Sequence, residues 1–198
     1  MNTPRIKPKE YYTYKDYCTW PENERWELID GTPYNMYPAP TRIHQEVVCE
    51  LLRQIANYLK GKDCRVYTAP FDVRLPQPKT NNKTTDTVIQ PDLAVICDKE
   101  KLDEKGCLGA PDWIIEVVSP NSASRDHITK RALYEKHGVR EYWIVHPIDH
   151  LLTIYWYQQG QYRAPETLET TGQTYSNIFP ELAIEWDDVF PSLNLENE

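Results

Sequence analysis

The sequence predicts an α/β domain, with α+β as the alternative, in which a central mixed β-sheet is flanked by helices. Residues 88–97 and 113–118 are nearly continuous apolar runs, a pattern typical of strands covered on both faces. Residues 44–60 repeat apolar side chains at helical spacing and stop at a glycine. A second helix, capped by Ser122 or Ser124, is predicted to run through His137 to another glycine.

The remaining elements are shorter. The turn pair Asp30–Gly31 indicates a hairpin, because this dipeptide favours the tight turn between two antiparallel strands. Residues 64–75 alternate as a strand, and two more strands are predicted near residues 141–146 and 151–157. The other predicted segments are a short helix at 14–20, a polar loop at 76–87, a charged connection at 98–109, and short strands and turns in 161–190.

The length of 198 residues predicts a single domain over residues 1–198 with a sizeable core, and residues 1–13 are expected to form a flexible N-terminus. No apolar run approaches the roughly 20 residues that a membrane helix needs. No apolar stretch follows the basic residues near the N-terminus, so no secretory signal is predicted. We therefore expect a cytoplasmic protein without a membrane partner.

The five cysteines are odd in number, far apart and never spaced as CxxC. This pattern argues against a disulfide framework and against a structural zinc site. The sequence therefore predicts reduced thiols, as in a cytoplasm.

The net charge of −8 argues against a protein that simply coats nucleic acid, because such proteins are basic. It argues less against a nuclease, since a magnesium site needs clustered carboxylates and the bound metal reverses the local charge. The 14 tyrosines and 6 tryptophans are expected mainly to pack a β-rich core, with base stacking as the alternative.

Two carboxylates lie within the predicted apolar strands: Asp92 and Glu116. An acidic side chain in such a strand costs free energy unless a cation or several hydrogen-bond donors compensate. Asp112 is a weaker partner for Glu116, because four positions along one strand separate the two Cα atoms by about 13 Å. Asp92 comes from another strand and can approach Glu116, so this pair is the candidate metal site.

Several segments together carry a resemblance to a known family. They are Pro91–Asp92, residues 116–120 (EVVSP), Arg125–Asp126 with Lys130 and Tyr134, and residues 138–145 (GVREYWIV), supported by residues 27–31 and His44. In these features the chain resembles the Uma-two-type family of bacterial restriction endonucleases, within the PD-(D/E)xK nuclease superfamily. The resemblance covers roughly residues 14–157. It implies a restriction-endonuclease-like core, magnesium dependence and hydrolysis of phosphodiester bonds.

One position departs from the superfamily pattern, which places a lysine two residues after the glutamate. That position is Val118 here. The resemblance allows the lysine to come from the following helix, and Lys130 fits such a migration. The alternative is that Lys130 forms an ordinary surface helix pair with Asp126 four residues earlier, worth about 0.3–0.5 kcal/mol.

The predicted site binds one Mg²⁺, with Mn²⁺ as a substitute, through Asp92, Glu116 and the carbonyl of Val117. The metal would polarise the scissile phosphate and lower the pKa of a bound water. Lys130 would orient or deprotonate that water and offset charge on the phosphorus.

Two further residues are candidates for the catalytic site. Glu27 is a possible third acidic ligand, directly or through water, and its alternative is a solvent-facing strand residue. His44 is a candidate for binding phosphate or tuning the site, and its alternative is a local hydrogen bond at the start of a helix.

The sequence thus predicts an endonuclease that acts on nucleic acid, with DNA as the favoured substrate. A homodimer is expected because a duplex has two strands, and the aromatic strands beyond Tyr142 would supply a self-complementary patch. Two alternatives remain: a non-catalytic regulatory or interaction protein whose Val118 marks lost chemistry, and a magnesium-dependent phosphoesterase for small molecules.

Overall fold

Two mixed β-sheets form the framework of the protein, in a computed structural model that describes residues 10–36, 39–78, 80–119 and 123–190. Its helices and strands, in chain order, are α1 (Tyr14–Tyr17), β1 (Trp26–Ile29), β2 (Thr32–Asn35), α2 (Arg42–Leu59), β3 (Arg65–Thr68), β4 (Val73–Arg74), β5 (Val88–Ile89), β6 (Leu93–Ile96), β7 (Leu102–Asp103), β8 (Gly106–Leu108), β9 (Trp113–Val117), α3 (Arg131–His137), β10 (Glu141–His146), β11 (Leu151–Gln158), β12 (Gln161–Tyr162), β13 (Glu166–Glu169), β14 (Gln173–Tyr175), β15 (Ala183–Glu185) and α4 (Trp186–Val189). Short 3-10 turns lie at Asn82–Thr84 and Lys99–Lys101, and a π-helical segment at Arg125–Lys130 leads directly into α3.

The larger sheet, called the main sheet here, has the strand order β12-β11-β10-β9-β6-β3, and β13 also pairs with β11. Strands β9 and β10 run parallel, and the other pairs are antiparallel. The second sheet has the order β2-β1-β5-β4-β8-β7, with β4 and β8 parallel. Strands β14 and β15 form a separate pair.

Side chains alternate between the two faces of β9, the central strand of the main sheet. Trp113, Ile115 and Val117 pack in the apolar cluster that α2 and α4 close, whereas Ile114 packs in the cluster shared with the second sheet and α3. Glu116 lies on the same face as Ile114, so a carboxylate points into the layer between the two sheets. In the described part of the chain, no helix has both the length and the apolar character required to cross a bilayer.

The local predictions hold at the first hairpin and the long helix. Asp30 and Gly31 have φ values of 45° and 75°, the left-handed conformations that a tight hairpin turn requires. Helix α2 follows the predicted amphipathic segment, and the side chain of Thr41 accepts a hydrogen bond from His44 N at its start. The second predicted helix is already helical at Ala123. Its predicted cap Ser122 lies outside the described residues, and Ser124 caps nothing with its side chain.

The prediction of one continuous strand is wrong for two segments. Segment 64–75 is divided into β3 in the main sheet and β4 in the second sheet, and segment 88–97 is divided in the same way into β5 and β6. Both divisions contain a proline, which cannot donate to a strand ladder. In segment 88–97 the apolar pattern runs through the division because β5 and β6 are both buried. In segment 64–75 the alternation continues across the division, so neither pattern carries a sign of the change of sheet.

The predicted layering therefore needs a correction. One face of the main sheet is covered by helices, as expected, but the other is covered by the second sheet together with α3. Part of the charged connection at 98–109 also belongs to that sheet, as the hairpin of β7 and β8.

The prediction of reduced thiols is wrong for one pair, because Cys64 and Cys97 form a disulfide. Strands β3 and β6 pair with Arg65 opposite Ile96, and this register brings the flanking cysteines together. They are 33 positions apart in the sequence, so no spacing motif announces them. Cys18, Cys49 and Cys107 are free thiols.

The buried carboxylate of Glu141 anchors the C-terminal segment to β10. It accepts hydrogen bonds from Trp143 Nε1, Ser176 Oγ, Asn177 N and Ile178 N at 2.7–3.2 Å. Burial raises the pKa of Glu141, and these four donors partly offset that rise.

We expect Glu141→Ala to lower the free energy of unfolding by about 3 kcal/mol or more, because it leaves four donors without their acceptor. Urea denaturation followed by tryptophan fluorescence measures the change. Glu166→Ala, at an exposed position on β13, is the control and should behave like the wild type. Equal midpoints for the two variants would show that Glu141 does not anchor this segment.

Candidate metal and active site

Asp92 lies at the point where the chain enters the main sheet, next to Glu116. Leu93 pairs with Ile115 in the antiparallel register of β6 and β9, so the residue before Leu93 is placed beside the residue after Ile115. Asp92 Oδ2 accepts a hydrogen bond from Val117 N at 2.8 Å and lies 3.1 Å from His44 Nε2. The structure therefore brings four of the predicted site residues, Asp92, Glu116, Val117 and His44, to one end of the main sheet.

Lys130 lies among carboxylates beneath this edge. Its Nζ atom is 2.9 Å from Glu116 Oε1, 3.0 Å from Glu27 Oε1 and 3.7 Å from Asp126 Oδ1. All four side chains are at most 5% exposed. The surface-pair alternative for Lys130 is wrong, and so is the solvent-facing alternative for Glu27.

Glu27 is held from the second sheet. Its Oε1 accepts a hydrogen bond from Gln90 N at 3.0 Å and also lies 3.0 Å from Lys130 Nζ. Its Oε2 is buried without a hydrogen-bond partner among the described residues, and Arg125 Nη1 approaches it only to 3.9 Å.

Lys130 is the last residue of a π-helical segment. This segment spans Arg125–Lys130, ahead of the regular turns of α3, and π-helical turns recur at functional sites. Val118 packs in the apolar cluster between the sheets, so the usual lysine position contributes only packing. Lys136, further along the helix, is half-exposed and contacts Asp30 at 3.4 Å, away from this cluster.

Two residues of the cluster were not predicted as site residues, although both occur in the resembling motif. Asp126 lies four positions before Lys130, and Tyr134 lies four positions after it. The hydroxyl of Tyr134 donates to Glu116 Oε1 at 2.7 Å, and Tyr142 OH donates to the carbonyl of Asp126 at 3.1 Å. Residues four positions apart lie on the same face of a helix, so the spacing of Asp126 and Tyr134 from Lys130 is the sequence signal that identifies both as neighbours of Lys130.

The charges of this cluster do not balance. Burial raises the pKa of Glu116 to about 8; Lys130 opposes that rise, whereas Asp126, Asp92 and Glu27 add to it. Burial lowers the pKa of Lys130, but Glu116, Glu27 and Asp126 outweigh burial and raise it well above its ordinary value. Lys130 therefore stays charged, and one ammonium group does not neutralise its carboxylate neighbours.

A cavity of about 390 Å³ opens over the cluster. Its walls include Asp92, Glu116 and Lys130, together with His44 and two arginines, Arg25 and Arg125. Glu27 does not line the cavity and lies beneath it, fully buried.

The donor set fits a hard cation only in part. No group of three or more His, Cys, Asp or Glu side chains in the described residues is arranged to hold a metal by itself. Asp92 and Glu116 nevertheless face one cavity, and the excess of carboxylates over Lys130 favours an additional cation. Two carboxylates, a backbone carbonyl and water form a set that Mg²⁺ accepts, since it usually keeps several waters.

Asp112 has a structural role. Its carboxylate accepts a hydrogen bond from Cys97 N at 2.8 Å and another from Arg140 Nη1 at 3.1 Å. These contacts leave it outside the cavity that contains Asp92 and Glu116.

Comparisons with known proteins identify the family and the fold of the chain. A family model described as "Uma2: Putative restriction endonuclease" matches residues 12–187. An uncharacterized protein of Synechocystis sp. is 27% identical over 131 residues, and the match spans 66% of this chain and 63% of that relative's length. The crystal structure of "a putative nuclease belonging to DUF820" from Anabaena variabilis superposes with a TM-score of 0.73 at 22% identity, covering 92% of this chain and 99% of the other.

Proposed function

From its membership of the Uma2 family, we propose that this chain is a magnesium-dependent endonuclease that hydrolyses phosphodiester bonds of nucleic acid, with DNA as the substrate. The contact of Lys130 with Glu116 at 2.9 Å carries the proposal, because it supplies a cation beside the acidic pair although Val118 occupies the usual position. Both residues line the cavity that contains Asp92.

Asp92, Glu116 and the carbonyl of Val117 would hold the Mg²⁺, or Mn²⁺ in its place. The ion would supply Lewis acidity at the scissile phosphate and acidify a bound water. His44 Nε2 and Val117 N both contact Asp92 Oδ2, so these two groups fix the orientation of that carboxylate. We propose His44 as a positioning residue for Asp92.

Lys130 would hold the attacking water and offset negative charge that develops on the phosphate. Glu27 fixes the position of the ammonium group from below, at 3.0 Å, and does not line the cavity. We therefore propose that Glu27 acts on the reaction through Lys130, or through a water, and not as a direct ligand.

We expect Asp92→Asn to weaken Mg²⁺ binding by about tenfold or more, because the amide keeps an acceptor for Val117 N but loses the charge. Isothermal titration of Mg²⁺ and Mn²⁺ into both proteins measures the affinity. Asp112→Asn is the matched control, since in the described part of the chain that carboxylate bonds to Cys97 and Arg140 and lies outside the cavity. Equal affinities in wild type and Asp92→Asn would remove Asp92 from the metal site.

Activity is tested by incubating the purified chain with plasmid, single-stranded DNA and RNA, each with Mg²⁺, Mn²⁺ or chelator. Cleavage of plasmid that requires the metal supports the proposal. Hydrolysis of small phosphodiesters without cleavage of any nucleic acid would favour the phosphoesterase alternative. Metal binding without any hydrolysis would favour a non-catalytic regulatory or interaction protein.

We also propose a homodimer in the cytoplasm, because cutting both strands of a duplex in one event needs two sites. Only part of the aromatic patch predicted for its interface is accessible: Tyr142, Trp143 and Tyr155 are at most 8% exposed and belong to the core, whereas Trp156 and Tyr157 are half-buried and Tyr175 on β14 is exposed. The proposal therefore rests on the substrate's two strands. We expect light scattering at tens of micromolar to report twice the chain mass, and a monomer mass would count against the dimer.

A further inference from the structure

A second cavity, of about 550 Å³, lies beside the candidate active site. It opens where α1 and the residues that follow it meet the end of the second sheet. Its walls include four aromatic residues, Tyr14, Tyr17, Trp20 and Trp26. The proposed function does not use this cavity.

The two cavities share a wall made of two side chains. Arg25 and Gln90 line both cavities, and Arg25 Nη2 donates to Gln90 Oε1 at 3.2 Å. The backbone of Gln90 is itself held by Glu27, the carboxylate that contacts Lys130. The two cavities are therefore adjacent, and the side chains of Arg25 and Gln90 lie between them.

Trp20 is the aromatic wall best suited to stacking. Its ring meets Tyr12 and Trp26 edge-on and Tyr17 at a tilt, with centroids 5.2–5.8 Å apart. These contacts hold the indole in place, yet the residue remains partly exposed, unlike the buried Tyr14 and Trp26. A held, partly exposed indole is a platform on which a planar ring can stack at little entropic cost.

The polar wall of the cavity offers a hydrogen-bond acceptor. Asp72 Oδ1 accepts from Tyr17 OH at 3.0 Å and from Gln90 Nε2 at 2.9 Å. Among the described residues no hydrogen bond reaches Asp72 Oδ2, so one carboxylate oxygen remains able to accept. A carboxylate repels a phosphate but accepts well from the amino group of a base.

We propose that this second cavity binds one unstacked nucleobase that carries an exocyclic amino group, from the same strand whose phosphate lies in the candidate active-site cavity. Trp20 stacks on the base, Asp72 accepts from its amino group, and Arg25 lies between base and phosphate. The inference rests on the proposed function for its substrate class. It adds a preference for cytosine, adenine or guanine over thymine.

Binding of fluorescein-labelled ten-nucleotide oligo(dC) and oligo(dT), measured by fluorescence anisotropy in EDTA, tests the proposal without cleavage. The wild type should bind oligo(dC) about tenfold more tightly, as expected for one base-specific contact. Trp20→Ala should weaken oligo(dC) binding by about tenfold, as expected for loss of one stacked base. Tyr175→Ala, which removes an exposed aromatic ring on β14, is the control and should bind like the wild type.

Asp72→Asn is the sharper variant, because it keeps the shape and the acceptor for Tyr17 and Gln90 but replaces Oδ2 by a donor. It should abolish or invert the preference for oligo(dC), whereas a merely structural or general charge effect would change both affinities equally. Asp63→Asn, at an exposed carboxylate, should keep the wild-type preference.

A wild type without the preference, or an Asp72→Asn protein that keeps it, overturns the inference. Cleavage with Mg²⁺ is scored separately. A wild type that cleaves DNA but shows no base preference refutes only the base site. If the wild type shows the preference, Asp72→Asn loses it and no DNA is cleaved, the base site is supported and the proposed nuclease activity is refuted.

Discussion

Lys130→Met is expected to lower the rate of Mg²⁺-dependent DNA cleavage by about two orders of magnitude or more, the usual scale for removing a donor that stabilises a transition state. Methionine keeps most of the buried stem, so the cavity that alanine would leave is avoided. The affinity for Mg²⁺ should stay the same or rise, since a positive charge 2.9 Å from Glu116 has been removed. Single-turnover cleavage of a labelled duplex measures the rate, and calorimetry measures the metal affinity.

The matched control is Lys136→Met on the same helix. Lys136 is half-exposed and contacts Asp30, so this variant should cleave like the wild type. Near-ultraviolet circular dichroism confirms that both variants keep their tertiary packing. A folded Lys130→Met protein that cleaves at the wild-type rate would refute the proposal that Lys130 takes the role of the lysine usually found at position 118.

Glu116→Gln is expected to abolish metal binding and cleavage while stabilising the metal-free fold at alkaline pH. The pKa of Glu116 is raised to about 8, chiefly by burial, so the folded chain holds a proton that the unfolded chain releases near pH 4.5. Wild-type stability from this group is fully present below pH 4.5 and is lost as pH rises through about 8. The glutamine variant has no ionisable group at this position, so it does not lose this stability as the pH rises.

The advantage of Glu116→Gln over wild type should therefore grow between pH 5 and pH 8, reaching on the order of a few kcal/mol. Urea denaturation in EDTA at several pH values measures it. Adding Mg²⁺ should restore stability to the wild type and leave the glutamine variant unchanged. A difference that is independent of pH would mean that Glu116 is ionised in the metal-free fold at all these pH values.

Local chemistry allowed much of the fold to be predicted. The Asp30–Gly31 pair selects a tight turn, and the helical spacing of apolar residues marks α2, because both signals act between residues close in sequence. The division of segments 64–75 and 88–97 between two sheets was not predictable in this way. The buried strands β5 and β6 have the same apolar pattern whichever sheet they join, and the alternation of segment 64–75 is equally compatible with either sheet, so only tertiary pairing decides.

In the candidate site, too, some features follow from the local sequence and others only from tertiary packing. Asp92 and Glu116 were identified because a carboxylate in an apolar strand needs compensation, and the structure places both in one cavity with Lys130. The burial of Glu27 and the contact of Tyr134 with Glu116 depend on how the second sheet and α3 pack. The cysteine pair depends on the register of β3 and β6, which no spacing rule contains.

The short segment Gln90–Pro91–Asp92 makes the acidic centre a property of both sheets at once. Gln90 is fixed to Glu27 of the second sheet, and two residues later Asp92 is fixed to Val117 of the main sheet. Any sliding of one sheet over the other therefore moves the two ends of this segment in different directions and displaces Glu27 from Asp92 and Glu116. The acidic site consequently depends on both sheets, and neither sheet could be moved to another protein or redesigned alone without disrupting the site. Under the proposed function, selection would act on the packing between the sheets as well as on the carboxylates themselves.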